Sequence, residues 1–383
     1  MFGRIGFRGY TADDLVEEGA GAITLSPTNI IDGELDFTNC SYLSWNKYYE
    51  SPEIMIKAGD VVLVKTASVG KCALVRSLPK ETTVNPQFLV FKNIVANSAF
   101  FTYILQDYIQ CFLDSEKNGS TIPTISQQII GNFKIMLPPR TEQDSIVRYL
   151  DAATSKIDKA IAMQQKMIDL LNERKQIIIQ NAVTKGLDEN VEIKDSSVEW
   201  IGMIPKHWEI IKIKHLAKLQ SGSNLTSNEI SDTGSYPVYG GNGLRGFYGS
   251  YNCEGSYVLI GRQGALCGNI NYAEDKFWAT EHAVVCYPKK TYNTLWFGEV
   301  LRLMNLGQYS LASAQPGLAV ERIKGLYVPN PSIEEQNKIA LFLKQNIGKI
   351  DLYARHCQRQ IALLQERKQI IINEVVTGKV KVS

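Results

Sequence analysis

No run of this 383-residue chain is apolar for the roughly 20 residues that a membrane-spanning helix needs. The opening Met1-Phe-Gly-Arg-Ile-Gly-Phe-Arg8 lacks the apolar core of a secretory signal. The expected compartment is therefore the cytoplasm, with no membrane partner. The seven cysteines, Cys40, Cys72, Cys111, Cys253, Cys267, Cys286 and Cys357, form no C-x-x-C pair. The four histidines, His207, His215, His282 and His356, complete no zinc-ligand spacing with them. Free thiols in a reducing compartment and no bound metal are expected. A strong charge is missing too, because 41 Lys and Arg against 39 Asp and Glu leave +2. Strongly basic balance is common in nucleic-acid binders, so tight nucleic-acid binding by the chain alone is disfavoured. A hydrophobic content of 44% and this length still allow two or more domains with real cores.

Catalytic signatures are also scarce. No G-x-G-x-x-G occurs, and Gly3, Gly6 and Gly9 have the wrong spacing and precede no βαβ unit. Gly240-Gly-Asn-Gly243 and Gly261-Arg-Gln-Gly264 are not followed by Gly-Lys-Ser/Thr, so they read as turns between strands and not as phosphate cradles. Asn85-Pro-Gln-Phe88 resembles the Asn-Pro-Pro-Tyr/Phe motif of adenine methyltransferases. Without a glycine-rich cofactor loop it reads as a turn entering a strand. No paired carboxylates and no Ser/His/Asp set stand out. The chain is expected not to be an enzyme, and binding of S-adenosylmethionine would be needed to revive a methyltransferase reading.

What the chain does have is an internal repeat. Glu173-Arg-Lys-Gln-Ile-Ile-Ile179 recurs as Glu366-Arg-Lys-Gln-Ile-Ile-Ile372, an offset of 193 residues. At the same offset Lys156-Ile-Asp158 matches Lys349-Ile-Asp351, Glu142-Gln143 matches Glu335-Gln336, Ile146 matches Ile339, Leu150 matches Leu343, and Val183-Thr184 matches Val376-Thr377. Each copy reads as a long helix opening after proline, at Pro138-Pro139 and at Pro331. Ser332 with Glu335 has capping-box spacing, as do Thr141 and Asp144 more loosely. A 4-3-4-3 stripe runs through Ile157, Ile161, Gln164, Ile168, Leu171, Lys175, Ile178 and Ala182, and again through Ile350, Ala354, Cys357, Ile361, Leu364, Lys368, Ile371 and Val375. That is coiled-coil spacing. With a domain between the copies, antiparallel pairing buries both stripes most simply. Gln164, Lys175 and Lys368 then either fix register or face a partner.

The predicted fold class is α+β: two mostly-β domains held apart by two long antiparallel coiled-coil helices, a pseudo-twofold tandem repeat. Predicted boundaries are 1–137 for the first head, 138–186 for the central helix, 187–197 for a polar linker, 198–330 for the second head and 331–383 for the C-terminal helix. Short β-like runs such as Asp60–Lys65 and Ser256–Gly261 and helices near Ala96–Phe112 and Thr294–Leu306 are expected in the heads. The heads differ while the helices agree, which suits one scaffold carrying two different readers. On the head loops stand residue types able to read base edges: Arg8, Tyr10, Lys65, Thr66, Ser68, Lys71, Tyr239, Asn242, Arg245, Tyr248, Arg262, Gln263, Asn269, Ser313 and Gln315. The same types are common on any solvated loop.

Thr184-Lys-Gly-Leu187 with Lys194-Asp-Ser-Ser-Val-Glu-Trp-Ile-Gly-Met-Ile-Pro-Lys-His-Trp-Glu209, Tyr236-Pro-Val-Tyr-Gly-Gly-Asn-Gly243 with Val258-Leu-Ile-Gly-Arg-Gln-Gly264, and the helix openings Pro138-Pro-Arg-Thr-Glu-Gln143 and Pro331-Ser-Ile-Glu-Glu-Gln336 together resemble the specificity (S) subunit of type I restriction-modification systems. The resemblance covers nearly the whole chain. It implies two target-recognition domains, each reading one half of a bipartite site on double-stranded DNA, and two spacer helices acting as a ruler. It also implies a chain without catalytic activity that docks two modification subunits, and through them restriction subunits. S-adenosylmethionine and ATP with Mg would then be bound by those partners. The partner-facing residues are expected at Glu173, Arg174, Lys175 and Gln176 and at Glu366, Arg367, Lys368 and Gln369. About 40 helical residues at ~1.5 Å each span ~60 Å, or roughly 17–18 base pairs. One departure stands out: Trp208–Lys218 opens the second head with a predicted strand and short helix, whereas the chain starts at a point matching about Ser221, so the expectation is either that the first head lacks its opening strand or that the chain is a shortened form. A coiled-coil scaffold that binds protein and never touches DNA is the alternative.

Overall fold

The computed structural model describes residues 1–3, 9–66, 68–116, 125–264, 266–310 and 317–382. It falls into two compact units, residues 1–164 with 359–383, and residues 165–358. Each long helix contributes to both units.

The first spacer helix is Arg140–Lys185 and the second Ile333–Val376. Proline suits a helix entry because its missing N–H would have no partner there. Ser332 and Glu335 form the expected cap: the Ser332 N–H and hydroxyl donate to Glu335 Oε2 at 3.1 and 2.9 Å, and the Glu335 N–H donates back to Ser332 Oγ at 3.3 Å. The looser pair Thr141 and Asp144 does not cap. The Glu142 and Gln143 N–H groups already donate to the Pro139 carbonyl, so Thr141 lies inside the first turn. Asp144 accepts instead from Asn97 Nδ2 at 2.7 Å.

Every residue of both predicted stripes is buried or half-buried. In the unit of residues 165–358, Ile179, Ala182 and Val183 share a core with Ile339, Ala340 and Leu343, while Lys175 reaches Asp351 at 2.8 Å. Later residues of one helix thus meet earlier residues of the other, so the pairing is antiparallel. In the other unit Ile146 and Leu150 pack with Ile372, Val375 and Val376, and Lys368 reaches Asp158 at 2.7 Å. Apart from Ala340, which matches the partly buried Val147, both sets are the same positions at the 193-residue offset.

In the first unit a four-stranded sheet runs in the order Leu15–Val16, Ser41–Ser44, Gly21–Leu25, Thr82–Val84, and a three-stranded sheet in the order Cys72–Leu74, Val61–Val64, Phe88–Phe91. Val61–Val64 and Phe88–Phe91 are buried on both faces and read as continuous apolar runs. The helix Ser98–Glu116 joins head to scaffold. Its Leu105 and Ile109 pack on the three-stranded sheet, and its Phe100 and Ile104 on Ile146, Leu150 and Ile372.

The second head is built from two four-stranded sheets. One has the order Ala217–Ser221, Ala283–Pro288, Tyr257–Gly261, Ile270–Ala273; the other Gly243–Tyr248, Tyr236–Gly240, Lys276–Ala279, Cys253–Glu254. The helix Thr294–Leu303 buries Trp296, Phe297, Val300 and Leu301 in the core that also holds Ile339 and Leu343. Glu209–Lys212 is the predicted opening strand. It pairs antiparallel with Tyr327–Asn330. At the equivalent place in the first unit Lys134–Leu137 form no strand, and Ile135, Met136 and Leu137 are exposed. Within the predicted polar linker, Ile193–Asp195 pairs antiparallel with Met203–Pro205. Three exposed residues leave no hydrophobic alternation from which to read such a strand.

Candidate nucleic-acid interface

Two of the motifs singled out in the sequence meet on the second head. The hairpin turn Gly241-Asn242 joins Tyr236–Gly240 to Gly243–Tyr248, and Arg262-Gln263 follows Tyr257–Gly261. Glycine is required where the two cross: a Cβ on Gly261 would stand 2.1 Å from the Gly241 carbonyl oxygen. Gly243 has φ +93, which L side chains rarely adopt. Gly240-Gly-Asn-Gly243 is therefore the expected turn, and Gly261-Arg-Gln-Gly264 leads out of the strand Tyr257–Gly261.

The crossing leaves an open depression of about 490 Å³, lined by Gly241, Asn242, Leu244, Arg245, Gln263, Gly264 and His282. Asn242, Arg245 and Gln263 are exposed. Asn269 Nδ2 donates to Asn242 Oδ1 at 3.1 Å, which fixes the amide beside the rim. Arg245 Nη2 donates to Ser227 Oγ at 3.4 Å. Arg262 Nη1 donates to Ser221 Oγ at 3.3 Å, while its N–H donates to the His282 carbonyl. Five of the predicted residues, Asn242, Arg245, Arg262, Gln263 and Asn269, thus share one neighbourhood. Tyr248 is half-buried and packs edge-on against Trp278, ring centroids 5.2 Å apart. Tyr239 turns inward, 5.6 Å from the Phe277 ring, and burial pushes its hydroxyl pKa up. Ser313 and Gln315 lie outside the described residues.

His282 and Glu281 carry no functional signal in the sequence, although their side chains contact at 3.0 Å in the turn before Ala283–Pro288. Neither belongs to a motif, so only the strand pairing brings them here.

On the first head the predicted residues are more dispersed. Lys71 is exposed, and its ammonium donates to the Pro27 and Ile30 carbonyls at 3.3 and 3.2 Å. It lines a second open depression, of about 400 Å³, with Thr28, Asp32, Gly70 and Gln106. The Lys65 backbone bonds to Gln87 and Ile125. Thr66 is half-buried and Ser68 exposed. The Tyr10 hydroxyl stands 3.5 Å from Thr24 Oγ1. Arg8 lies outside the described residues. Asn85-Pro-Gln-Phe88 is the expected turn: the Gln87 N–H donates to Asn85 Oδ1 at 3.0 Å, and Phe88, fully buried, starts a strand.

On the spacer helices Glu173, Arg174, Gln176, Glu366 and Arg367 are exposed. Lys175 and Lys368 are half-buried in the ion pairs described above. Gln369 Nε2 donates to Asp107 Oδ1 at 3.3 Å, beside Asn373. Glu335 is a hub of the second unit, accepting from His207 Nε2 at 2.8 Å and Trp208 Nε1 at 3.0 Å. Burial alone would raise its carboxyl, but hydrogen bonds from Trp208, His207 and Ser332 outweigh that and hold it at about 2. Among the described residues no group of three His, Cys, Asp or Glu could hold a metal ion, and no helix is long and apolar enough to cross a membrane.

A repeated scaffold carrying two unlike heads, one bearing a cluster of Asn, Arg and Gln, defines a recognition protein. The chain matches the family described as the type I restriction modification DNA specificity domain over residues 28–167 and 205–361, and it belongs to that family. It is 30% identical over 295 residues to the type I restriction enzyme EcoprrI specificity subunit of Escherichia coli, covering 74% of this chain and 70% of that one. It is 24% identical over 392 residues to a putative type I restriction enzyme MjaX specificity subunit of Methanocaldococcus jannaschii, covering 92% and 86%. Its fold resembles a chain from a solved structure of a type I R-M system, with TM-score 0.69 at 16% identity over 93% of this chain and 91% of that one. Its role is DNA specificity and not catalysis, and a scaffold that never touches DNA is not favoured.

Proposed function

We propose that this chain reads a bipartite site on double-stranded DNA, one half-site per head, and docks two modification subunits in the cytoplasm. S-adenosylmethionine is then bound by the modification subunits, and ATP with Mg by restriction subunits where the host encodes them. The observation that carries this reading is the repeat: one helix motif occurs twice at a fixed offset, each time following a different head. Two equivalent scaffold positions suit two copies of one partner, and two unlike heads suit two unlike half-sites. Asn242, Arg245, Arg262, Gln263 and Asn269 are the proposed readers of one half-site. They are donors and acceptors of the kind that pair with base edges in the major groove. With a net charge of +2, the chain leans on its partners for the phosphate contacts that dominate affinity.

Mapping of N6-methyladenine in DNA from cells expressing the chain with its modification subunit tests the proposal. The expected result is a split motif with an unread gap. A continuous motif, or none, overturns it.

A further inference from the structure

The two units contain the same joint between head and helix. In the first, the Asn97 N–H donates to Gln143 Oε1 at 2.7 Å, Asn97 Nδ2 donates to Asp144 Oδ1 at 2.7 Å, and Gln143 Nε2 donates to the Pro138 carbonyl at 2.7 Å. In the second, the Asn293 N–H donates to Gln336 Oε1 at 2.9 Å, Asn293 Nδ2 donates to Asn337 Oδ1 at 2.8 Å, and Gln336 Nε2 donates to the Pro331 carbonyl at 3.0 Å. Both glutamines are almost sealed from solvent, 4% and 2% exposed. In both, the asparagine Oδ1 also accepts from the first turn of the head helix, from Ala99 and Phe100 in one and from Trp296 in the other. One side chain thus ties three parts together: the N-terminus of the head helix, the extended entry to the spacer helix, and that helix's first turn.

The glutamines obey the 193-residue offset and the asparagines do not. The heads have diverged in length and sequence, yet each rebuilds the same bonds. A buried amide with its bonds met at both ends favours one geometry strongly, because any other leaves a desolvated donor or acceptor unpaired.

We infer that these two asparagine–glutamine clamps fix the angle at which each head leaves its spacer helix, and so set the gap length that the complex accepts between half-sites. The inference rests on the bipartite reading. Gln143 and Gln336 act as positioning residues and touch no base. A domain of roughly 100 residues extends ~25 Å, so a tilt of roughly 8° moves its far surface by about one base-pair rise, ~3.4 Å. Small angular freedom at the joint is therefore enough to admit a gap one pair longer or shorter.

The test is methylation mapping of cells carrying the full chain with its modification subunit, unchanged or as Gln143→Ala, Gln336→Ala or the double variant. The expected result is two unchanged half-sites, with methylation at gaps one pair from the native value raised about tenfold in each single variant and further in the double. Tenfold is the size expected when two hydrogen bonds cease to favour one angle. Asn337→Ala, at an exposed position, removes only the acceptor for Asn293 Nδ2 and leaves both bonds of Gln336 in place. It is expected to broaden the gap less, and it carries the test if the glutamine variants yield no complex. An unchanged gap in variants that still methylate overturns the inference, as does loss of one half-site, which would make the clamp a support of the reading surface. A split motif missing from the unchanged chain would instead sink the bipartite reading itself.

Discussion

Lys368 meets Asp158 at 2.7 Å, and the equivalent Lys175 meets Asp351 at 2.8 Å. Each lysine occupies a position in the hydrophobic stripe, and each aspartate follows the stripe isoleucine of the facing helix, Ile157 or Ile350. A lysine on such a seam can be satisfied only where the facing helix presents an acid, so a slip of register strands the charge on apolar surface. Lys368→Glu is expected to lower stability by about 1 kcal/mol, since two carboxylates then face each other in a partly exposed site. The exchange Lys368→Glu with Asp158→Lys restores most of that loss. Denaturant unfolding of the two single variants and the double measures the coupling, and a double variant no better than the sum of the singles would remove the pair from the account.

Glu335 gives the second unit an acid-sensitive fastening. Its folded-state pKa of about 2 lies below the ordinary 4.5. Protons are therefore taken up on unfolding between those values, and the contribution is complete above 4.5 and lost as the pH falls toward 2. Glu335→Gln is expected to cost about 2 kcal/mol near neutrality, the scale of hydrogen bonds to a charged acceptor. The difference from the unchanged protein should shrink below pH 4.5. Trp208, 1% exposed, reports the transition by its fluorescence. A difference that stays constant down to pH 2 contradicts the assignment.

Much of this is legible in the sequence. The stripes from Ile157 to Ala182 and from Ile350 to Val375 are the seam, because a helix seam writes its period into the sequence. The joint was half legible. Gln143 and Gln336 stood in the matched repeat, but nothing in the sequence pointed to Asn97 and Asn293, which lie in the diverged heads. The depression of the second head was visible in its glycines and not in its floor, since His282 arrives by strand pairing over a distance that no motif spans. Lys71 shows what a loop sequence does not carry: its ammonium donates to two carbonyls of its own head. Residue type gives the donor, and only the fold says where it is spent.

The exposed Arg174 and Arg367 are equivalent positions on the two helices. If they face two copies of one modification subunit, each reversal to Glu weakens one docking event and the double reversal both. Co-purification should fall stepwise, from two copies to one to none, while the unfolding midpoint of the isolated chain moves little, as for surface substitutions generally. Undiminished co-purification of the double variant places the contact elsewhere on the helices.

Arg245 and Gln263 stand on one rim of one head, so their loss should be felt at one half-site only. A side chain that pairs two-fold with a base edge supplies about 1–3 kcal/mol of discrimination, or roughly 5- to 150-fold. Arg245→Ala or Gln263→Ala should therefore degrade the sequence preference at one or two positions of a single half-site. The other half-site and the gap should keep their native values. That pattern separates reading from anchoring, because loss of a phosphate contact weakens all sequences alike and flattens the salt dependence. It also separates reading from positioning, because the clamp variants are expected to accept gaps one pair longer or shorter and leave both half-sites intact. Methylation mapping of the four single variants Arg245→Ala, Gln263→Ala, Gln143→Ala and Gln336→Ala in one experiment would show both signatures side by side. An Arg245→Ala variant that weakens both half-sites equally would move the reading surface away from this depression.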